Sequence, residues 1–139
     1  MMKRKVALDV GDVRIGVAVS DVMGICANPR ETYVRKGSAE EDALYFAQYA
    51  QKEDADAFVV GLPKNMDGTE GPRAQVSREF GELLEKTSGL PVIYVDERLT
   101  TVSAERMLID ADVRRDKRKK VIDKVAATII LQSYLDGKR

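Results

Sequence analysis

Apolar positions along the chain fall into two periods, and the change from one to the other lays out the elements. Val6 to Val10 is nearly apolar throughout and reads as a strand, central in a sheet because it is greasy on both faces. Gly11 to Arg14 is turn-prone and Ile15 to Ser20 is a second apolar run, so the pair predicts a hairpin. Thr32 to Arg35 is a weaker, more charged third strand. From Glu40 to Lys52 the spacing turns helical, with Leu44 and Ala47 beside a stripe of Ala43 and Ala50. Ala57 to Gly61 predicts a buried strand, and Leu62 to Arg73 a loop, with two prolines and Asp, Gly and Asn between them. Val76, Phe80, Leu83 and Leu84 then mark one helix face, and Val92 to Val95 a last strand. Thr100 or Thr101 can cap a helix carrying Ala104, Met107 and Leu108. A polar link from Asp112 to Asp116 leads into a final helix from Lys117 to Leu135.

The order β-β-β-α-β-α-β-α-α combines a meander with two crossovers. Crossovers need parallel neighbours and the meander antiparallel ones. The fold class expected is therefore α/β, a five-stranded mixed sheet with helices on both faces, in one domain over residues 1–139. A chain of 139 residues buries roughly two-thirds of its unfolded surface, enough for a core without staples.

Composition narrows the chemistry. There is one cysteine, Cys26, and no histidine, which excludes a disulfide framework, a cysteine-built zinc site, a histidine triad and an imidazole base. Catalysis would fall to carboxylates, hydroxyls, Lys, Arg or an oxygen-ligated metal. The 23 cations and 23 acids cancel, which argues against a simple polycation but hides a segregation. Residues 40–56 carry a net −5 and residues 98–124 a net +4. The basic N-terminus (Lys3, Arg4, Lys5) is followed by too short an apolar run for a signal segment, and no run reaches membrane-spanning length. A soluble, cytoplasmic protein without a membrane partner is expected.

Three acids stand where an acid is unwelcome. Asp9 interrupts an apolar strand, Glu97 follows the end of the last strand, and Asp123 shares a helical stripe with Ala126, Ala127 and Ile130. Each has a plainer reading: an Asx turn for Asp9, a Lys119 partner for Asp123, a helix-start acid or an Arg98 partner for Glu97. Asp96 is the rival to Glu97. Gathered together, three carboxylates would repel one another and lose hydration, and a divalent cation such as Mg²⁺ relieves both costs without histidine.

Gly11 and Gly16, two and seven positions after Asp9, would let a phosphate approach the hairpin backbone, although hairpin glycines usually serve the turn alone. The block Arg114, Arg115, Lys117, Arg118, Lys119 and Lys120 opens the last helix, where cations oppose the macrodipole. Phosphate-backbone binding accounts for that placement better than a solvated helix start does. Lys64, Asn65 and Arg73 in the long loop, with Arg14 and Arg98, are further candidate phosphate contacts.

At these residues the sequence resembles the YqgF family of RuvC-like Holliday junction resolvases and pre-16S ribosomal RNA nucleases. The matching segments are Leu8 to Asp21, Val59 to Pro63 with Asp67 and Gly68, Asp96 to Thr101 with Ala104 and Glu105, and Lys119 to Ala127 through Leu131 to Leu135. The resemblance spans Val6 to Leu135. It implies a ribonuclease H-like fold and a metal-dependent nuclease in which Asp9, Glu97 and Asp123 form the acidic, metal-binding and catalytic triad. Two Mg²⁺ or Mn²⁺ ions about 4 Å apart would be held there. It leaves structured RNA and branched DNA both open as substrates, the ribosome as a candidate partner, and the state as monomer or homodimer. Two other classes remain: a nucleotide-hydrolysing protein on the same acid-plus-glycine hairpin, and a non-catalytic RNA- or ribosome-binding module. Tyr45 and Tyr49, one turn apart, could mark a dimer face but are more often the edge of a core.

Overall fold

The computed structural model describes residues 3–97 and 115–137, with the backbone alone for 115–124. Its strands are β1 (Arg4–Val10), β2 (Arg14–Ser20), β3 (Ala27–Val34), β4 (Ala55–Leu62) and β5 (Val92–Asp96). Its helices are α1 (Ala39–Lys52), α2 (Pro72–Ser88) and α3 (Arg115–Gly137). The sheet order is β3-β2-β1-β4-β5, antiparallel from β1 to β2 and β2 to β3, parallel from β1 to β4 and β4 to β5. The mixed five-stranded sheet is as expected. The helix anticipated around Ala104 to Leu108 lies outside the described residues.

Strand alternation sorts the core into two layers. Val6, Leu8 and Val10 of β1 face α1 and α2, in a cluster with Val17, Phe46, Phe58, Val60, Phe80 and Leu84. Ala7 faces the other way and packs with Ala18, Val59, Ala127, Ile130, Leu131 and Leu135 under α3. Alanines on both sides of that second interface bring α3 close to the sheet. The last turns of α3 are tied to the β2–β3 turn by Gln132, which accepts from the Ala27 amide and donates to the Ile25 carbonyl, both at 2.9 Å. No helix among the described residues is long and apolar enough to cross a membrane.

Four expectations change. Strand β3 starts at Ala27 rather than Thr32 and ends before Arg35. It is an edge strand whose ladder to β2, with a register shift at Val17/Ala18, holds polar residues such as Asn28 and Glu31 that hydropathy assigns to loop. Helix α2 starts at Pro72, a residue suited to a first turn, and buries Ala74, Ser77, Phe80, Gly81 and Leu84 while Val76 is exposed. Its contact stripe is set by small size, because Gly81 leaves the room that the Tyr94 ring and hydroxyl fill. On α1, Leu44 is exposed and Phe46 is buried. Helix α3 begins at Arg115, so Arg115 and Asp116 belong to it rather than to a link.

Tyr45 and Tyr49 lie at the edge of the first core layer. Tyr45 stacks on Tyr33 at 4.4 Å between centroids, and Phe46 meets Tyr33, Tyr45 and Tyr49 edge-on. Burial, together with the Glu31 carboxylate that accepts from its hydroxyl, holds the Tyr45 phenol well above its ordinary pKa. Phe46 is fully buried at the centre of this group. Phe46→Ala should cost about 3–5 kcal/mol of unfolding free energy, measured by urea titration; a loss under about 1 kcal/mol would show that the cluster is not part of the cooperative core.

Candidate active site

The site is built on the α3 face of the sheet, at the carboxyl ends of the three parallel strands. Ala7 pairs with Val59, so two residues further on Asp9 comes level with Gly61, and across the hairpin it pairs with Gly16. Val95 pairs with Gly61 and packs against the α3 layer. Alternation then returns Glu97 to that face and leaves Asp96 exposed on the other. The Glu97 amide donates to the Leu62 carbonyl at 3.1 Å, extending the β4–β5 ladder by one bond and fixing the residue at the strand end.

Glu97 stands one row beyond Asp9, and its extra methylene carries the carboxylate back over Gly61. A Cβ added at Gly61 would collide with that carboxylate and with Ile130 Cδ1. The only glycine in β4 is therefore the floor on which Glu97 lies, beneath α3. A glycine inside a β-branched strand run is a recognisable signal of such close approach.

Asp9 and Glu97 are joined by a side-chain hydrogen bond, which requires a proton between the two carboxyls. Burial, then the charge of Asp9 and the hydrogen bond to it, push Glu97 up to about 9, against partial relief from Arg73. Two carboxylates compressed in this way, with no imidazole nearby, form a hard-oxygen donor set that suits Mg²⁺ or Mn²⁺. Among the described residues no group of three acid, Cys or His ligands forms, so the described part of the site is this pair. Asp123 lies on α3, on the stripe that continues through Ala127 and Ile130, two turns or about 10 Å along the axis from Ile130. Its side chain is outside the described residues.

The candidate phosphate contacts separate into groups. Arg73, in the first turn of α2, reaches across to Asp12 on the β1–β2 turn (3.3 Å), at the rim of the carboxyl pair. Lys64 stands where β4 gives way to the loop, in an isolated bridge with Glu70. That loop is built rather than slack. The Asn65 amide donates to the Thr69 carbonyl (2.8 Å), and Glu70 holds Arg78 of α2 by two bonds of 2.6 and 2.7 Å. Arg14 opens β2 opposite Val34, on the far side of the turn from Asp9. Arg115, Lys117, Arg118, Lys119 and Lys120 occupy the first turns of α3, with side chains outside the described residues. Arg98 and Arg114 are outside them entirely.

Asp42 is one of the acids behind the net −5 of residues 40–56. It is fully buried. Burial pushes its carboxyl up, but Arg35, the Lys36 amide and the Tyr33 hydroxyl outweigh this and hold it below the ordinary range. Its spacing from Phe46 and Tyr49, four and seven residues on, was the available signal.

The proton on the carboxyl pair gives stability a definite pH dependence. The unfolded chain releases it near 4.5 and the folded chain only near 9, so stability is lost as pH rises across that window. In chelator-treated protein the melting temperature should fall from pH 5 to pH 9, and Glu97→Gln should flatten the profile. Parallel profiles for the two proteins would remove Glu97 as the cause.

The matching family model, described as "RuvX: Holliday junction resolvase", covers residues 3–137. A protein of Halothermothrix orenii named "Putative pre-16S rRNA nuclease" is 53% identical over 133 residues, covering 96% of this chain and 94% of that one. A Geobacillus protein of the same name is 51% identical over 137 residues, covering 98% and 99%. Among solved structures, T. thermophilus RuvC in complex with a Holliday junction substrate aligns at 12% identity with a TM-score of 0.62, over 98% of this chain and 95% of that one. That likeness gives the fold, the ribonuclease H-like arrangement of RuvC, and with the family match and the close relatives the chain belongs to the RuvX (YqgF) family.

Proposed function

We propose that this chain is a metal-dependent nuclease that hydrolyses phosphodiester bonds, acting in the 5′ processing of pre-16S ribosomal RNA in the cytoplasm as one nuclease domain over residues 1–139. The observation that carries the reading is the Asp9–Glu97 pair, two carboxyls pressed together over Gly61 at the carboxyl edge of the sheet. The names of the relatives supply the substrate.

Asp9, Glu97 and Asp123 would hold Mg²⁺ or Mn²⁺. When bound, the metal supplies a Lewis acid for phosphate oxygens and acidifies a water, the work that a histidine base does elsewhere. Glu97 would serve as a carboxylate, releasing its proton to solvent. Gly61 and Ile130 keep its carboxylate against Asp9. Arg73 neutralises a nonbridging phosphate oxygen by exchanging Asp12 for substrate, an exchange that costs little because an exposed ion pair contributes about 0–1 kcal/mol. Arg14, Lys64, Arg98, Arg114 and the α3 cations bind flanking phosphates and set the strand's register.

Branched DNA is the second substrate reading, favoured by the description of the matching family. Purified protein should cleave precursor 16S RNA in the presence of Mg²⁺ or Mn²⁺ and leave a four-way DNA junction intact. Asp9→Asn should reduce cleavage at least about 100-fold while folding and nucleic-acid binding persist. Turnover unchanged in Asp9→Asn would sink the metal-site assignment, and cleavage of the junction alone would move the substrate to DNA.

The basic start of α3 yields a separate measurement. Replacing Lys117, Arg118, Lys119 and Lys120 by Gln should make duplex binding less salt-dependent, by up to about 3–4 units of log–log slope. An unchanged slope would place phosphate binding elsewhere. If this variant abolishes function and Asp9→Asn does not, the chain is a binding module.

A further inference from the structure

The turn carrying Asp9 into β2 is gripped from behind by one arginine. Arg35, just past the end of β3, donates through Nη1 to the Gly11 carbonyl at 3.0 Å, and its own amide donates to the Val13 carbonyl at 2.9 Å. Between these grips the turn closes on itself, the Gly11 amide donating to the Arg14 carbonyl at 2.9 Å. Gly11 is two residues from Asp9, so Arg35 holds the backbone from which Asp9 projects.

The guanidinium is itself locked. Its Nε donates to Asp42 Oδ2 at 2.8 Å, and its face lies 5.3 Å from the centre of the Phe80 ring. Asp42 has no solvent exposure, and its other oxygen accepts from the Tyr33 hydroxyl at 2.8 Å and the Lys36 amide at 3.1 Å. Every donor around that carboxylate is supplied by the chain. Outside the pair, Arg35 and Asp42 line a cleft of about 440 Å³ with Asp12, Val13 and the first residues of α1.

A buried ion pair is a poor device for stability alone, since well-packed apolar residues of similar volume do as well or better. What it supplies here is a fixed direction: a planar fork aimed at one carbonyl on the turn beside Asp9. Lysine could keep the charge and could not bond Asp42 and Gly11 together in this geometry.

We propose that Arg35, oriented by Asp42, is a positioning residue for the Asp9–Glu97 site, setting the reach of Asp9 through the Gly11 carbonyl. This rests on the nuclease reading for its effect on turnover, while its effect on the turn stands apart from that reading. Neither residue touches substrate.

The test uses Arg35→Lys in the full chain, because Asp42→Asn removes the charge partner of a half-buried guanidinium and risks unfolding. Amide hydrogen exchange by NMR reads the clamp without any activity. In folded Arg35→Lys the Gly11 amide should exchange at least tenfold faster than in wild type, while Val6 to Leu8 keep their protection. With Mn²⁺, the dissociation constant should rise severalfold, and kcat on the cleaved nucleic acid should fall about tenfold with KM within twofold of wild type. Tyr45→Phe is the control: it removes a bond in the same aromatic cluster without touching the turn, and should leave Gly11 exchange, Mn²⁺ affinity and kcat as they were. Unchanged Gly11 exchange in Arg35→Lys overturns the proposal, as does faster exchange with Mn²⁺ affinity and kcat intact, or an equal effect of Tyr45→Phe. If wild type neither binds Mn²⁺ nor cleaves, the nuclease reading fails and the exchange result still decides the clamp.

Discussion

Two carboxyl groups that would separate in water are held in contact, and the rest of the molecule is arranged around that repulsion. Asp9 cannot withdraw, because it sits inside a strand hydrogen-bonded on both sides. Glu97 is held at the end of β5 by its amide bond to Leu62 and lies on a floor with no side chain, under Ile130. The opposing core layer, rich in large residues, supplies the stability that such a pair consumes. The α3 layer, made largely of alanine and medium aliphatics, supplies proximity. One sheet thus has a stable side and a reactive side, and β1 belongs to both through alternate residues.

Charge follows the same division. The acids at the start of α1 complement its helix dipole, with Ser38 accepting from the Glu41 amide. Helix α2 has no acid in its first turn and no side-chain cap, and the carboxylate bonded to its first turn is Asp12, reaching over from the β1–β2 turn. Helix α3 opens with cations against its own dipole. Helices α2 and α3 thus break the usual charge rule, and α1 obeys it. Violations of local rules gather where function competes with stability.

Much of this was legible in the residues, for reasons that also explain what was not. β1, β2 and β4 announce themselves because central strands are apolar on both faces, and Asp9 stands out against that background. Glu97 was read correctly as a strand-end acid, but choosing between it and Asp96 needs the pairing of Val95 with Gly61, which is long-range information. The start of β3 was hidden because an edge strand need not be hydrophobic; its bonds to β2 and to Gln132 define it. The buried stripe of α2 was misread because Ala74, Ser77 and Gly81 are buried for their size, whereas hydropathy favours Val76. Asp42 was hidden for the opposite reason. A charged residue inside an acidic run looks wet until Arg35 and Tyr33, from outside the helix, are seen to turn inward with it.

The edge strand has a consequence for how copies of this chain can meet. A sheet with free edges invites continuation by a neighbour, yet both edges here are blunted. β3 carries Pro29, exposed Asn28 and Arg30 and a register shift, and β5 is only five residues long. Strand addition is therefore disfavoured along β3 and along the described length of β5. A second copy of this chain is thereby steered toward helix faces or loop tips. Each copy would then bring a complete sheet, and with it an intact carboxyl pair, to whatever nucleic acid the assembly grips.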